Sequence, residues 1–128
     1  MQFYRLNNRR DNYQTPKALY EELDKEFHFD YDPCPLNPIG LRDRDGLGEW
    51  KGHSIFINPP YSKPRPWIEN ALKQKDKTIV MLLKADTSTN WFHDLILPNA
   101  EIRFIRGRLH FNEKGPAPFP SMVVIISK

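Results

Sequence analysis

The chain has 128 residues, a net charge of +3 and an apolar fraction of 39%, which allows one globular domain with a real core and no room for a second. A single cysteine, Cys34, excludes an intramolecular disulfide and suits a reducing, cytoplasmic setting. No apolar stretch approaches a membrane span, residues 1–10 hold no apolar leader segment, and the scattered histidines (His28, His53, His93, His110) argue against a zinc site.

In chain order, residues 1–12 are polar and basic (Arg5, Arg9, Arg10) and are expected to form a flexible lead-in. Thr15-Pro16 then predicts a helix start, with Thr15 as N-cap and Pro16 at the first helical position. Leu19, Leu23 and Phe27 recur every four residues, so residues 16–27 read as an amphipathic helix. Residues 29–32 read as a short strand, stopped by Pro33, Pro35 and Pro38, and residues 36–52 as loop.

Ser54-Ile55-Phe56-Ile57 is an apolar run of strand length. A helix is expected over 66–75 with Trp67, Ala71 and Leu72 inward, a central strand over 78–84, and a short helix over 89–95 that places Trp91 in the core and closes at Pro98. Residues 101–111 and 121–127 read as strands in an antiparallel pair, joined by the proline-stiffened loop 112–120. This alternation predicts an α/β fold, with a mostly parallel sheet, helices on both faces and a C-terminal antiparallel β pair.

The chemistry concentrates in Asn58-Pro59-Pro60-Tyr61, directly after the strand at 54–57. Ligands in open α/β sheets collect at the carboxyl ends of strands. There the Asn58 amide oxygen and a proline carbonyl can accept hydrogen bonds from an amino group on a planar ring, while Tyr61 stacks on the ring's face. The prolines fix φ and carry no competing N–H. Together these features suit methylation of a nucleobase amino group, which is mainly a positioning problem and needs no covalent enzyme intermediate. The bland alternative is a proline turn with Tyr61 half buried.

Other constellations admit two readings. Asp32-Pro33-Cys34-Pro35 places a carboxylate that suits the ammonium of S-adenosylmethionine, or is an Asp-Pro turn. Pro33-Cys34 also suits the nucleophile of a cytosine-C5 methyltransferase, although the pocket signal lies about 25 residues further on. Asp45-Gly46 suits ribose recognition or an ordinary turn. Tyr13-Gln14-Thr15-Pro16 starts the helix and offers a cap for a cofactor pocket. Lys84-Ala85-Asp86 lines the mouth beside the motif if the strands at 54–57 and 78–84 are neighbours, with Lys84 otherwise a solvated strand end. Lys63, Arg65, Arg106 and Arg108 are candidates for phosphate contact or plain surface charges.

In this order, these residues resemble the Dam-type DNA N6-adenine methyltransferases found mainly in bacteriophages and prophages. The resemblance runs over about residues 11–127: Tyr13 to Pro16, Asp32-Pro33-Cys34 with Asn37, Asp45-Gly46-Leu47 with Trp50, Asn58 to Tyr61 with Trp67, Leu83 to Trp91, and Arg103 to Phe111. It implies a compact Rossmann-like methyltransferase fold, S-adenosylmethionine as donor, and adenine in double-stranded DNA as acceptor, flipped out of the helix. Carried over by position, Asn58, Pro59 and Tyr61 form the catalytic group, with Pro60 holding the turn. Tyr13, Thr15, Pro16, Asp32, Cys34, Asn37 and Asp45 fall on the cofactor side, and Lys63, Arg65, Lys84, Arg106 and Arg108 toward DNA. No metal and no membrane are implied, and the chain is expected to act as a monomer or homodimer.

The chain departs from broader methyltransferase families in the turn after the first strand and in holding no insertion large enough for a separate target-recognition domain. Where they carry a glycine-rich turn after the first strand, prolines and Asn37 occupy the stretch up to Gly40. Base-specific contacts are expected from loops 62–66, 85–90 or 112–120, or from a second copy. Methylation of cytosine N4 or of a protein glutamine amide uses a similar motif, and a catalytically weak DNA-binding phage accessory protein is the alternative from a different class.

Overall fold

The computed structural model describes residues 14–33, 47–110 and 115–127. Helix α1 (Lys17–Phe27) leads into strand β1 (Ser54–Ile57), helix α2 (Arg65–Lys73) and strand β2 (Thr78–Lys84). A π-helical turn (Phe92–Ile96), strand β3 (Glu101–Phe104) and strand β4 (Ser121–Ser127) follow.

The four strands form one sheet in the order β1-β2-β4-β3. β1 and β2 are parallel, with Ile57 beside Met81, whereas β4 runs antiparallel to both β2 and β3. β1, β2 and β3 thus share one direction and β4 alone runs against them, which makes the sheet a mixed one. β4 enters between β2 and β3 in the opposite direction, and strand direction is set by long-range pairing rather than by the strand's own residues. The expected antiparallel terminal pair is present as β3 with β4. The segment at 29–32 contributes a single parallel bridge, Tyr31 to Ile55, with Asp30 N–H donating to the Ser54 carbonyl (2.8 Å) and Phe56 N–H to that of Tyr31 (3.1 Å).

Alternation along the strands builds two cores. Ile55, Ile57, Ile79, Met81, Leu83, Met122, Val124 and Ile126 point to the side covered by Ile68 and Ala71 of α2 and by Phe92 and Ile96 of the π-helical turn. Phe56, Val80, Leu82, Val123 and Ile125 point the other way, onto Leu23, Leu19, Tyr20 and Phe27 of α1. Helices thus cover both faces, as expected. Burying each such aliphatic side chain is worth about 1.5–3 kcal/mol, so the two cores dominate the fold's stability. Among the described residues, no helix is long and apolar enough to cross a membrane.

Local details fix the ends of these elements. α1 closes at His28, which adopts a left-handed φ of 54° and donates its N–H to the Asp24 carbonyl, while Asp24 Oδ1 accepts the N–H of Phe29 at 2.8 Å. Asp30 then clamps the turn before β1, accepting the N–H groups of His53 and Ser54 at 3.0–3.1 Å. Gly52, at φ 81°, is required there, because a Cβ would run into the Asp30 carboxylate. The strand expected over 101–111 ends at Phe104, and the helix over 66–75 is shortened to Arg65–Lys73. The short helix near 89–95 is present with π-helical hydrogen bonding over Phe92–Ile96.

Candidate active site

Because β1 and β2 are parallel neighbours, their carboxyl ends open on the same edge of the sheet, and antiparallel β4 begins there. Three segments converge at this mouth: Asn58-Pro59-Pro60-Tyr61 after β1, Lys84-Ala85-Asp86 after β2, and Phe119-Pro120-Ser121 before β4. Lys84 pairs with Ser121, and Ala85 N–H donates to the Pro120 carbonyl at 2.9 Å. The expected adjacency of the two motifs is thus present.

Alternation along β1 turns Asn58 toward the α1 side of the sheet, the side to which Phe56 points. There the Asn58 Nδ2 donates to Thr15 Oγ1 at 3.0 Å. This bond corrects the expected role of Thr15. Pro16 rather than Thr15 occupies the N-cap position of α1, no side chain caps the helix, and the Thr15 hydroxyl reaches across to the motif instead. Pro59 is buried, and Asn58, Pro60 and Tyr61 are half-buried.

Tyr61 lies edge-on to Phe119, with ring centroids 4.6 Å apart, and Lys84 Nζ sits 5.9 Å from the centre of the same ring. Phe119 and Ser121 were not singled out by sequence. Their signal is positional: an antiparallel strand beside β2 must start where β2 ends, so the residues leading into it face the mouth. The Ser121 hydroxyl is buried and has no hydrogen-bond partner among the described residues.

The remaining candidates separate clearly. Asp32 stands exposed just beyond the Tyr31 bridge, at the same carboxyl edge. Burial, then the charges of Asp24 and Asp32, push the Tyr20 hydroxyl above its ordinary pKa. Asp86 accepts the backbone N–H (3.2 Å) and hydroxyl (2.7 Å) of Ser88, and these bonds, with the charge of Lys84, hold its carboxyl below the usual range. Lys63, Arg106 and Arg108 are exposed, the last two in the segment following β3, which ends at this edge. Arg65 is engaged along α2 with Glu69 at 3.2 Å. Tyr13, Cys34, Asn37 and Asp45 lie outside the described residues.

A surface cavity of about 400 Å³, lined by Gly48, Glu49, Asn70, Lys73, Gln74, Lys75 and Lys77, lies at the opposite end of the sheet, where β2 begins. A strand of seven residues puts it roughly 20 Å from Lys84, too far to serve the motif. Among the described residues, no three His, Cys, Asp or Glu side chains gather into a metal-binding group.

The family model described as DNA N-6-adenine-methyltransferase (Dam) matches residues 4–124. The chain belongs to this family. Dam-family relatives include the DNA N-6-adenine-methyltransferase of Haemophilus phage HP1, 35% identical over 122 residues, covering 83% of this chain and 70% of the relative. The DNA N-6-adenine-methyltransferase of Escherichia phage T1 is 30% identical over 111 residues, covering 78% of this chain and 47% of the relative. The chain therefore spans about half the length of the T1 protein. No solved structure matches significantly.

Proposed function

We propose that this Dam-family chain transfers a methyl group from S-adenosylmethionine to N6 of an adenine turned out of duplex DNA, at the carboxyl edge of β1 and β2. One observation carries the reading: Asn58, anchored to Thr15, stands at the end of a parallel strand with Tyr61 beside it. A base inside the helix cannot present its amino group to a methyl donor, so the target must leave the stack. Tyr61 offers a face for that base, backed edge-on by Phe119.

The two N6 hydrogens are accepted by Asn58 Oδ1 and the Pro59 carbonyl, with Pro60 holding the turn. Accepting both draws the nitrogen toward a tetrahedral shape and frees its lone pair from the ring. So held, the N6 lone pair would take up the donor's methyl carbon, the C–S electron pair would stay with the donor's sulfur, and N6 would shed a proton to solvent. S-adenosylmethionine, when bound, supplies the sulfonium-activated methyl.

The residues at the edge fit that donor. Asp32 offers an exposed carboxylate for its ammonium, and the buried Ser121 hydroxyl offers a polar handle at the mouth. Tyr13, Pro16, Cys34, Asn37 and Asp45 complete the proposed cofactor side, with Thr15 on its border with the base pocket. Lys63, Arg65, Lys84, Arg106 and Arg108 are assigned to DNA phosphates. The test is a thermal shift with S-adenosylhomocysteine, followed by methyl transfer from tritiated donor to duplex DNA. Stabilisation and labelled DNA support the reading; a chain that neither binds the product nor labels DNA refutes it.

A further inference from the structure

We infer that Thr15 is a positioning residue for methyl transfer, its hydroxyl holding the Asn58 carboxamide in the plane and direction that aim Oδ1 at the base. The inference rests on the methyl-transfer reading above and assigns Thr15 to the Asn58 side of the border rather than to the cofactor.

A carboxamide has two chemically opposite edges of nearly the same shape. Turned the wrong way, Asn58 would set its NH2 against the NH2 of adenine, donor against donor, and recognition would fail. Rotated out of plane, it would lose the alignment on which an attack geometry depends, where a misplacement of about 1 Å can cost about 100-fold in rate. The structure supplies an anchor for the nitrogen edge: Asn58 Nδ2 donates to Thr15 Oγ1 at 3.0 Å, linking residues 43 positions apart. The oxygen is thereby directed to the other edge.

Three features mark this bond as more than an incidental contact. Thr15 is not occupied in capping, since α1 begins at Lys17 with Pro16 at the N-cap and no side-chain cap bond. Pro16, at φ −58°, disfavours helical backbone for the residue before it, which limits where the Thr15 Cβ can lie. Pro16 is itself tied into the first turn of the helix, its carbonyl accepting the N–H of Tyr20 at 3.0 Å, and Tyr20 packs edge-on against Phe56 of β1, with centroids 5.1 Å apart. The anchor and the residue that it orients are thus fastened to the same strand.

The test compares Thr15→Val, which keeps the shape and removes the hydroxyl, with Thr15→Ser, which keeps the hydroxyl. Methyl transfer to unmethylated bacterial genomic DNA is measured at saturating donor, S-adenosylhomocysteine affinity by calorimetry, and the Asn58 side-chain NH2 by nitrogen-15 NMR, assigned through Asn58→Asp. The expected result is a kcat about 10- to 100-fold lower for Thr15→Val, recovery of most of that loss in Thr15→Ser, and product affinity within about twofold in both. The Asn58 NH2 signals shift and exchange faster in Thr15→Val.

Unreduced turnover in Thr15→Val overturns the inference, as does a loss of product affinity that parallels the loss of rate, which would make Thr15 a cofactor contact. Unchanged Asn58 signals in Thr15→Val overturn it too. A parent that binds no product and methylates no DNA fails the underlying methyl-transfer reading, and this role with it; an active parent beside an equally active Thr15→Val fails the role alone.

Discussion

Adenine N6 gives up its lone pair reluctantly because the ring delocalises it, and the role proposed for the group after β1 is to reverse that. Replacing Asn58 by Ala removes one of the two proposed acceptors, and a drop in kcat of at least about 100-fold is expected, as for loss of a dedicated polar group at a reacting centre. Tyr61→Ala should likewise abolish transfer. It also removes the edge-on contact with Phe119, worth about 1 kcal/mol, so its melting temperature should fall by only a few degrees. Tritium transfer beside thermal melting checks both variants; near-parental turnover in either would remove that residue from the catalytic group. At this scale the sequence is informative about the motif and about Lys84 beside it, and silent about Thr15 and Phe119 as its neighbours. Asn58 and Tyr61 announce themselves through two prolines after an apolar run. Thr15 reads locally as a helix cap, because nothing in its own surroundings tells of an asparagine 43 positions away. Phe119 reads only as part of a proline-rich loop until β4 is known to run against β2.

At the scale of elements, strand interiors and exposed turns should respond differently. Leu82 is fully buried between α1 and the sheet, so Leu82→Ala should cost about 2–5 kcal/mol in denaturant unfolding. Leu97→Ala, at a side chain half exposed, should cost far less; equal losses would contradict the assignment of the core. Asp30 gives an acid-dependent contribution. The backbone N–H of His53, then that of Ser54, hold its carboxyl below the usual range. A carboxyl depressed in the folded state stabilises above its unfolded pKa, near 4, and that stability is lost as pH falls through the lower folded value. Melting temperature should therefore decline below about pH 4. Asp30→Asn should flatten part of that decline, and an unchanged acid limb would show that the clamp contributes nothing. Element positions were largely legible: β1 and β2 follow from apolar runs, and α1 from a four-residue spacing. The strand expected over 101–111 was overextended, since its apolar and basic residues continue past Phe104 into a segment that leaves the ladder.

For the whole molecule, layering and the antiparallel terminal pair followed from composition and periodicity, whereas the insertion of β4 between β2 and β3 did not. β4 has the same all-apolar character that a parallel central strand would have, and only its partners decide which way it runs. That reversal shapes the proposed site, because it brings Phe119 and Ser121 to the edge where Asn58 and Lys84 already stand. Lys63, Lys84, Arg106 and Arg108 lie toward that edge, so binding to duplex should weaken as salt rises, with log K falling linearly in log salt as counterions are released. A flat response would speak against phosphate contact.

The most direct test of the central claim is nucleoside mass spectrometry of unmethylated DNA after incubation with the protein and S-adenosylmethionine. N6-methyldeoxyadenosine, absent when Asn58→Ala replaces the parent, is the predicted product. N4-methyldeoxycytidine, or no modified base at all, would contradict the account.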